Sequence, residues 1–174
     1  MEEMNRERVC CFTGRRPEKL PWGDNEQHPR CKDLKWRLDE VLDTLYQKGY
    51  THFICGMARG FDFYCAEAVL RLKERHPEVV LHSARPCESQ ADRFPTQDRR
   101  RYQWLLSQCD RDTLVQPHYS RDCMMKRNRF MVDHASHLIA LYDGIPSGGT
   151  YNTIQYARKS GIDITYLNLE GEVG

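Results

Sequence analysis

The chain has 174 residues, with 26 lysines and arginines against 25 aspartates and glutamates, for a formal charge of +1. That length suits a single domain, residues 1–174, around one sizeable core, and the near-balance of charge disfavours nucleic acid as a partner, since polyanion binders usually carry a basic footprint. No apolar run reaches bilayer length, and the charged start "MEEMNRERVCCF" lacks the apolar centre of a signal peptide, so a soluble, cytoplasmic protein with no membrane partner is expected.

In chain order, "RVCCF" (8–12) reads as a short apolar strand cut off by "TGRRP". A polar, proline-bearing stretch leads to "DLKWRLDEVLDTLYQKG", where Leu34, Leu38, Val41, Leu42 and Leu45 recur at helical spacing and Gly49 supplies the stop. "THFIC" (51–55) is the second strand, ended by "GMARG". A helix then runs from Phe61 to about Arg75, with Asp62 placed to cap its first turn. "EVVLHSA" (78–84) is a third strand, followed by an irregular polar segment and the helix "TQDRRRYQWLLSQC". "DTLVQ" (112–116) is a weak fourth strand and "SRDCMMKRNRFMVDHA" a helix. "HLIALYD" (137–143) is a strong strand; the loop "GIPSGGT", the helix "YNTIQYARKSG" and the strand "DITYLNL" complete the chain.

Strands that are continuous apolar runs, alternating with helices, indicate a sheet buried on both faces. The expected fold is therefore α/β: a doubly wound, mostly parallel, Rossmann-like sheet flanked by helices. In such sheets ligands bind beyond the strand carboxyl ends, near the switch point in strand order. The eight cysteines are scattered without a C-x-x-C pair, which supports neither a disulfide framework nor a zinc site. Cys10 and Cys11, adjacent in a strand, should point to opposite faces as small buried hydrophobes.

Three glycine-rich or polar junctions fall at strand carboxyl ends: "TGRRP", "GMARGFD" and "DGIPSGGT". Gly148-Gly149-Thr150 opens a helix, whose free N–H groups and positive dipole end attract phosphate. Arg15 and Arg16 are placed to clamp an anion, and Gly56 and Gly60 frame a second turn with Met57 and Ala58 between them. Each loop also serves as a plain tight turn, and none matches G-x-G-x-x-G or the P-loop. In "KRNRFMVD", Lys126, Arg127 and Arg129 are either a solvated face or a contribution to the same rim. "DRRRYQW" fits a solvated helix better than a stacking platform. His134 and His137 straddle a helix end and a strand start, so no metal site is expected there.

Taken together, "CFTGRRP", "CGMARGFD", "RPCESQ", "KRNRFMVD" and "LYDGIPSGGT" resemble the YpsA-like proteins of the SLOG superfamily, from about Val9 to Leu167. That superfamily also holds the LOG (lysine-decarboxylase-like) phosphoribohydrolases and the DNA-processing protein DprA. The resemblance implies a Rossmann-like domain whose rim binds a nucleotide or nucleotide-derived ligand. Matched motif by motif, it implies binding by Thr13, Gly14, Arg16, Gly56, Met57, Gly60, Asp62, Arg127, Asn128, Gly148, Gly149 and Thr150. Arg15, which stands where relatives have histidine, Ala58, Asp143 and Gly144 join the candidate set.

LOG enzymes carry a glutamate three residues after the threonine of their P-G-G-x-G-T motif. Here that place holds Thr153, so no catalytic residue is assigned, although Asp62 or Asp143 offers a carboxylate. The expected function is a cytoplasmic sensor or regulator of ADP-ribose, an NAD derivative or AMP, with no certain cofactor. The alternatives are N-glycosidic hydrolysis of a nucleotide and single-stranded DNA binding. A homodimer is an expectation of the superfamily.

Overall fold

Period-two alternation in the strands decides how this chain is layered. The computed structural model describes residues 4–169; the ends of the 1–174 span lie outside them. The strands are β1 (Val9–Thr13), β2 (His52–Cys55), β3 (Val80–Arg85), β4 (Arg111–Leu114), β5 (His137–Leu141) and β6 (Asp163–Leu167). They pair in the order β4-β3-β2-β1-β5-β6, every pair parallel.

Cys10 and Phe12 of β1, Phe53 and Cys55 of β2 and Ile139 of β5 belong to one apolar cluster. The residues between them, Val9, Cys11, Ile54, Leu138 and Ala140, belong to another on the opposite face. Cys10 and Cys11 therefore face opposite ways, and both are fully buried.

The first face is covered by α1 (Pro29–Gln47), α2 (Phe61–Arg75) and α3 (Thr96–Gln108), which contribute Leu34, Leu38, Leu72 and Leu105. The second is covered by α4 (Cys123–Asp133) and α5 (Gly149–Ser160), through Met131, Val132, Ile154 and Ala157. The chain steps outward from β1 to β4 beneath one helical layer, then returns through α4 to lay β5 on the other side of β1. The switch point is thus the β1–β5 junction.

β4 reads weakly in the sequence because it is an edge strand whose residues are only partly covered. Two local expectations differ from the structure. α1 begins at Pro29, before the apolar periodicity sets in, because the His28 side chain accepts from the Arg30 N–H at 3.1 Å and a proline fits the first helical turn. Asp62 does not cap α2: Gly60 holds the cap position, and the Asp62 carboxylate turns back to accept from the Ala58 N–H at 3.1 Å. No described helix is long and apolar enough to cross a membrane.

Two buried imidazoles join neighbouring strands. His52 Nε2 lies 2.9 Å from His82 Nδ1, and His82 Nε2 lies 2.7 Å from Thr113 Oγ1. Burial pushes both histidines down to about 4, with Arg111 adding to the effect on each. Both are therefore neutral in the fold, whereas the unfolded chain takes up protons near the ordinary value of 6.5. The stability they contribute is complete above that value and is lost as pH falls towards 4. Urea unfolding followed from neutral to acid pH should show falling stability across this window, and His82→Gln should flatten the slope.

Candidate ligand-binding rim

The loops after β1, β2 and β5 can converge only because glycines let them touch. A Cβ on Gly14 would stand 2.3 Å from the ring of Phe61, the fully buried first residue of α2. The Phe61 N–H in turn donates to the Arg15 carbonyl at 3.2 Å, tying the first loop to the second. A Cβ on Gly56 would lie 2.9 Å from the Arg127 guanidinium and 3.0 Å from the Asp62 carboxylate, so the bare backbone there leaves room for two charged groups. Between these turns Met57 is fully buried with φ +61°, a conformation rare outside glycine.

Arg127 comes inward from α4 and is only 4% exposed. Its guanidinium donates to the carbonyls of Gly56 and Ala84, the latter at 3.4 Å, and to Asn128 Oδ1 at 2.8 Å. Burial pulls its pKa below the usual value, opposed by the charge of Asp62. Burial likewise raises the Asp62 pKa, against the pull of Arg127 and the Ala58 N–H. Its helix neighbours turn outward: Lys126 pairs with Asp122 at 3.6 Å and Arg129 lies over the Tyr156 ring.

A cavity of about 470 Å³ opens at the switch point. Thr13, Gly14, Arg15, Arg16, Ala58, Asp62, Arg127, Asn128, Gly149 and Thr150 from the sequence-derived set line it. Gly56, Met57, Gly60 and Gly148 stand behind the lining and shape the backbone. Asp143 and Gly144 are also outside it, because Asp143 is engaged by Arg15 through two contacts of 3.1 Å. Although burial works to raise its pKa, Arg15 and the Ile145 N–H hold the Asp143 carboxyl below the ordinary value. Thr153, at the glutamate place of the LOG motif, is buried and donates to the Gly149 carbonyl at 2.8 Å.

Several donors line this space without a partner among the described residues. Gly148, the cap residue of α5, has no side chain to receive the first N–H groups of the helix, and no other side chain among the described residues caps them. The hydroxyls of Thr150, 4% exposed, and Thr13, 7% exposed, line the cavity and bond to no other described residue. Arg16 is exposed at the mouth and forms no ion pair among the described residues.

Sequence reasoning missed Phe12, Glu18, Lys19 and Met124 in the lining. Met124 was within reach, since it lies one helical turn before Arg127 and so shares its face. His134 and His137 point to separate partners, the Phe130 carbonyl and Thr165, each at 2.7 Å.

The glycines should separate by substitution. Gly14→Ala is expected to lower stability by about 1–3 kcal/mol through the clash with Phe61. Gly149→Ala should leave it within about 1 kcal/mol, because a Cβ there meets nothing within 4 Å. Denaturant unfolding of the two variants checks this, and equal costs would contradict the packing described.

Comparison with known proteins fits this geometry. Proteins named UPF0398 from Bacillus cereus and Bacillus thuringiensis are each 26% identical over 156 residues, covering 88% of this chain and 84% of theirs. DNA processing protein A from Helicobacter pylori, described for its single-stranded DNA binding mode, superposes with a TM-score of 0.61 at 15% identity. That match covers 94% of this chain, which spans 66% of the other protein's length. The fold is thus shared with a nucleic-acid binder, and the expectation from overall charge that nucleic acid is disfavoured as a partner does not stand. Net charge conceals the local pattern: carboxylates engage Arg59 and Arg101, while Arg16, Lys19 and Arg93 form no ion pair among the described residues. The YpsA family model, described as the YspA SLOG family, matches residues 10–171, and the chain belongs to that family.

Proposed function

We propose that the rim binds a nucleotide or nucleotide-derived ligand of the ADP-ribose, NAD-derivative or AMP kind, and that the protein acts as a cytoplasmic sensor or regulator of it. The observation that carries this reading is the start of α5 beside the Thr150 and Thr13 hydroxyls, none of them bonded to a side chain among the described residues. Oriented N–H groups at a helix start, with hydroxyl donors and an arginine at the mouth, complement a phosphate. The cavity volume falls in the range of small-molecule sites. Arg127 enters this reading as a support rather than a ligand, since backbone carbonyls already occupy its guanidinium.

A second reading, single-stranded DNA along the same rim, is favoured by the fold shared with DNA processing protein A. It requires affinity that falls steeply as salt rises, and affinity indifferent to salt would count against it.

Thermal unfolding with ADP-ribose, NAD, AMP, ATP and ribose phosphate tests the first reading. A ligand at a hundredfold its Kd should raise Tm by about 5–10 °C. Gly149→Asp should abolish that shift by placing a carboxylate where the phosphate sits, while keeping its unliganded Tm, because the position is open. A shift that survives in the variant would place the ligand elsewhere.

A further inference from the structure

The rim does not end at the first cavity. Strand order sets its loops side by side, so the carboxyl ends of β2, β3 and β4 continue away from the switch point. Over β2 and β3 lies a second cavity of about 270 Å³, sharing Arg16, Glu18, Ala58 and Met124 with the first. Over β3 and β4 lies a third, of about 440 Å³, sharing Gln90, Arg93 and Met124 with the second. Each cavity borders the next, and Met124 lines all three. From β5 to β4 the trough crosses four strand spacings, roughly 19 Å at ~4.8 Å each. That span exceeds what one nucleoside phosphate anchored at α5 would fill.

The far end of the trough has the chemistry for a second unit. Arg93 is exposed and forms no ion pair among the described residues, which leaves it available to a phosphate. Tyr119, in the loop after β4, is 67% exposed and offers a ring face for a base. Gln90 forms a fixed polar wall between the cavities, donating to the Gly56 carbonyl at 2.9 Å and accepting from the Tyr102 hydroxyl at 3.1 Å. Asp92 is the acidic group in the third lining, so a single phosphate near Arg93 is better matched there than a cluster of anions.

The geometry points to a second subsite, around Arg93 and Tyr119, that takes the far half of a ligand made of two nucleoside units joined through phosphate. This inference rests on the nucleotide reading of the first cavity. A free dinucleotide and a two-nucleotide step of a single strand share that chemistry.

Binding of AMP, NAD, the dinucleotide pdApdA and a (dA)15 strand, measured at one salt concentration, tests the assignment. A two-unit ligand should bind about tenfold or more tighter than AMP, the gain expected from one stacked base and one phosphate contact. Arg93→Ala and Tyr119→Ala, both at exposed positions, should each narrow that gap to about threefold. A gap for NAD alone identifies a free dinucleotide; a gap for pdApdA and the strand identifies a nucleic-acid step. Equal affinity for AMP and every two-unit ligand, or a gap untouched by both variants, would overturn the second subsite and leave the first cavity's reading standing. No binding by any probe would overturn both.

Discussion

A guanidinium taken out of water must recover its hydrogen bonds from the protein, and Arg127 recovers them from the ends of two strands. By holding the Gly56 and Ala84 carbonyls it bridges the carboxyl ends of β2 and β3. Gly56 has to be glycine for that guanidinium to fit, and the Asp62 carboxylate on its other flank lessens the cost of burying the charge. Asp62 then orients the Ala58 N–H, which sets the course of the second loop. The Gly60 end of that loop meets the backbone of the first loop at Arg15. Arg15 in turn grips Asp143 at the base of the glycine-rich loop. A chain of polar contacts therefore links the carboxyl ends of β3, β2, β1 and β5, and the rim is positioned as a unit.

Much of the fold was legible because the signals are local and repeated. The apolar run "HLIAL" reads as a strand covered on both sides and is one, and α2 occupies Phe61–Arg75, the span expected for it. The rim was legible through its glycines, which stand where backbones approach one another. What the sequence concealed depends on direction and distance. Helical spacing places Lys126, Arg127 and Arg129 within about one turn without saying which one faces inward; only the buried polar carbonyls at the strand ends decide it. Asp62 looks like a helix cap because the residue type and position suit one, yet the loop before it competes for the same carboxylate and wins.

Partner chemistry was the least legible. A balance of +1 describes the average over the molecule, whereas recognition depends on which charges are already neutralised at short range. Arg59 sits among Glu18, Asp24 and Asp98, and Arg101 between Glu26 and Glu67, so both arginines serve the scaffold. Arg16 and Arg93 have no such neighbour among the described residues, and both line the middle cavity of one trough. No spacing rule connects two residues so far apart in the chain; strand order does.

Met124 lies where the three cavities meet, and its side chain is an unbranched thioether with several freely turning bonds. Such a floor conforms to occupants of different outline without any movement of the main chain. For the ligand proposed above, shape at the centre of the trough would be a weak filter, and selectivity would fall to the donors along it. A ligand bound as proposed would be measured by the spacing of its polar groups more strictly than by what lies between them.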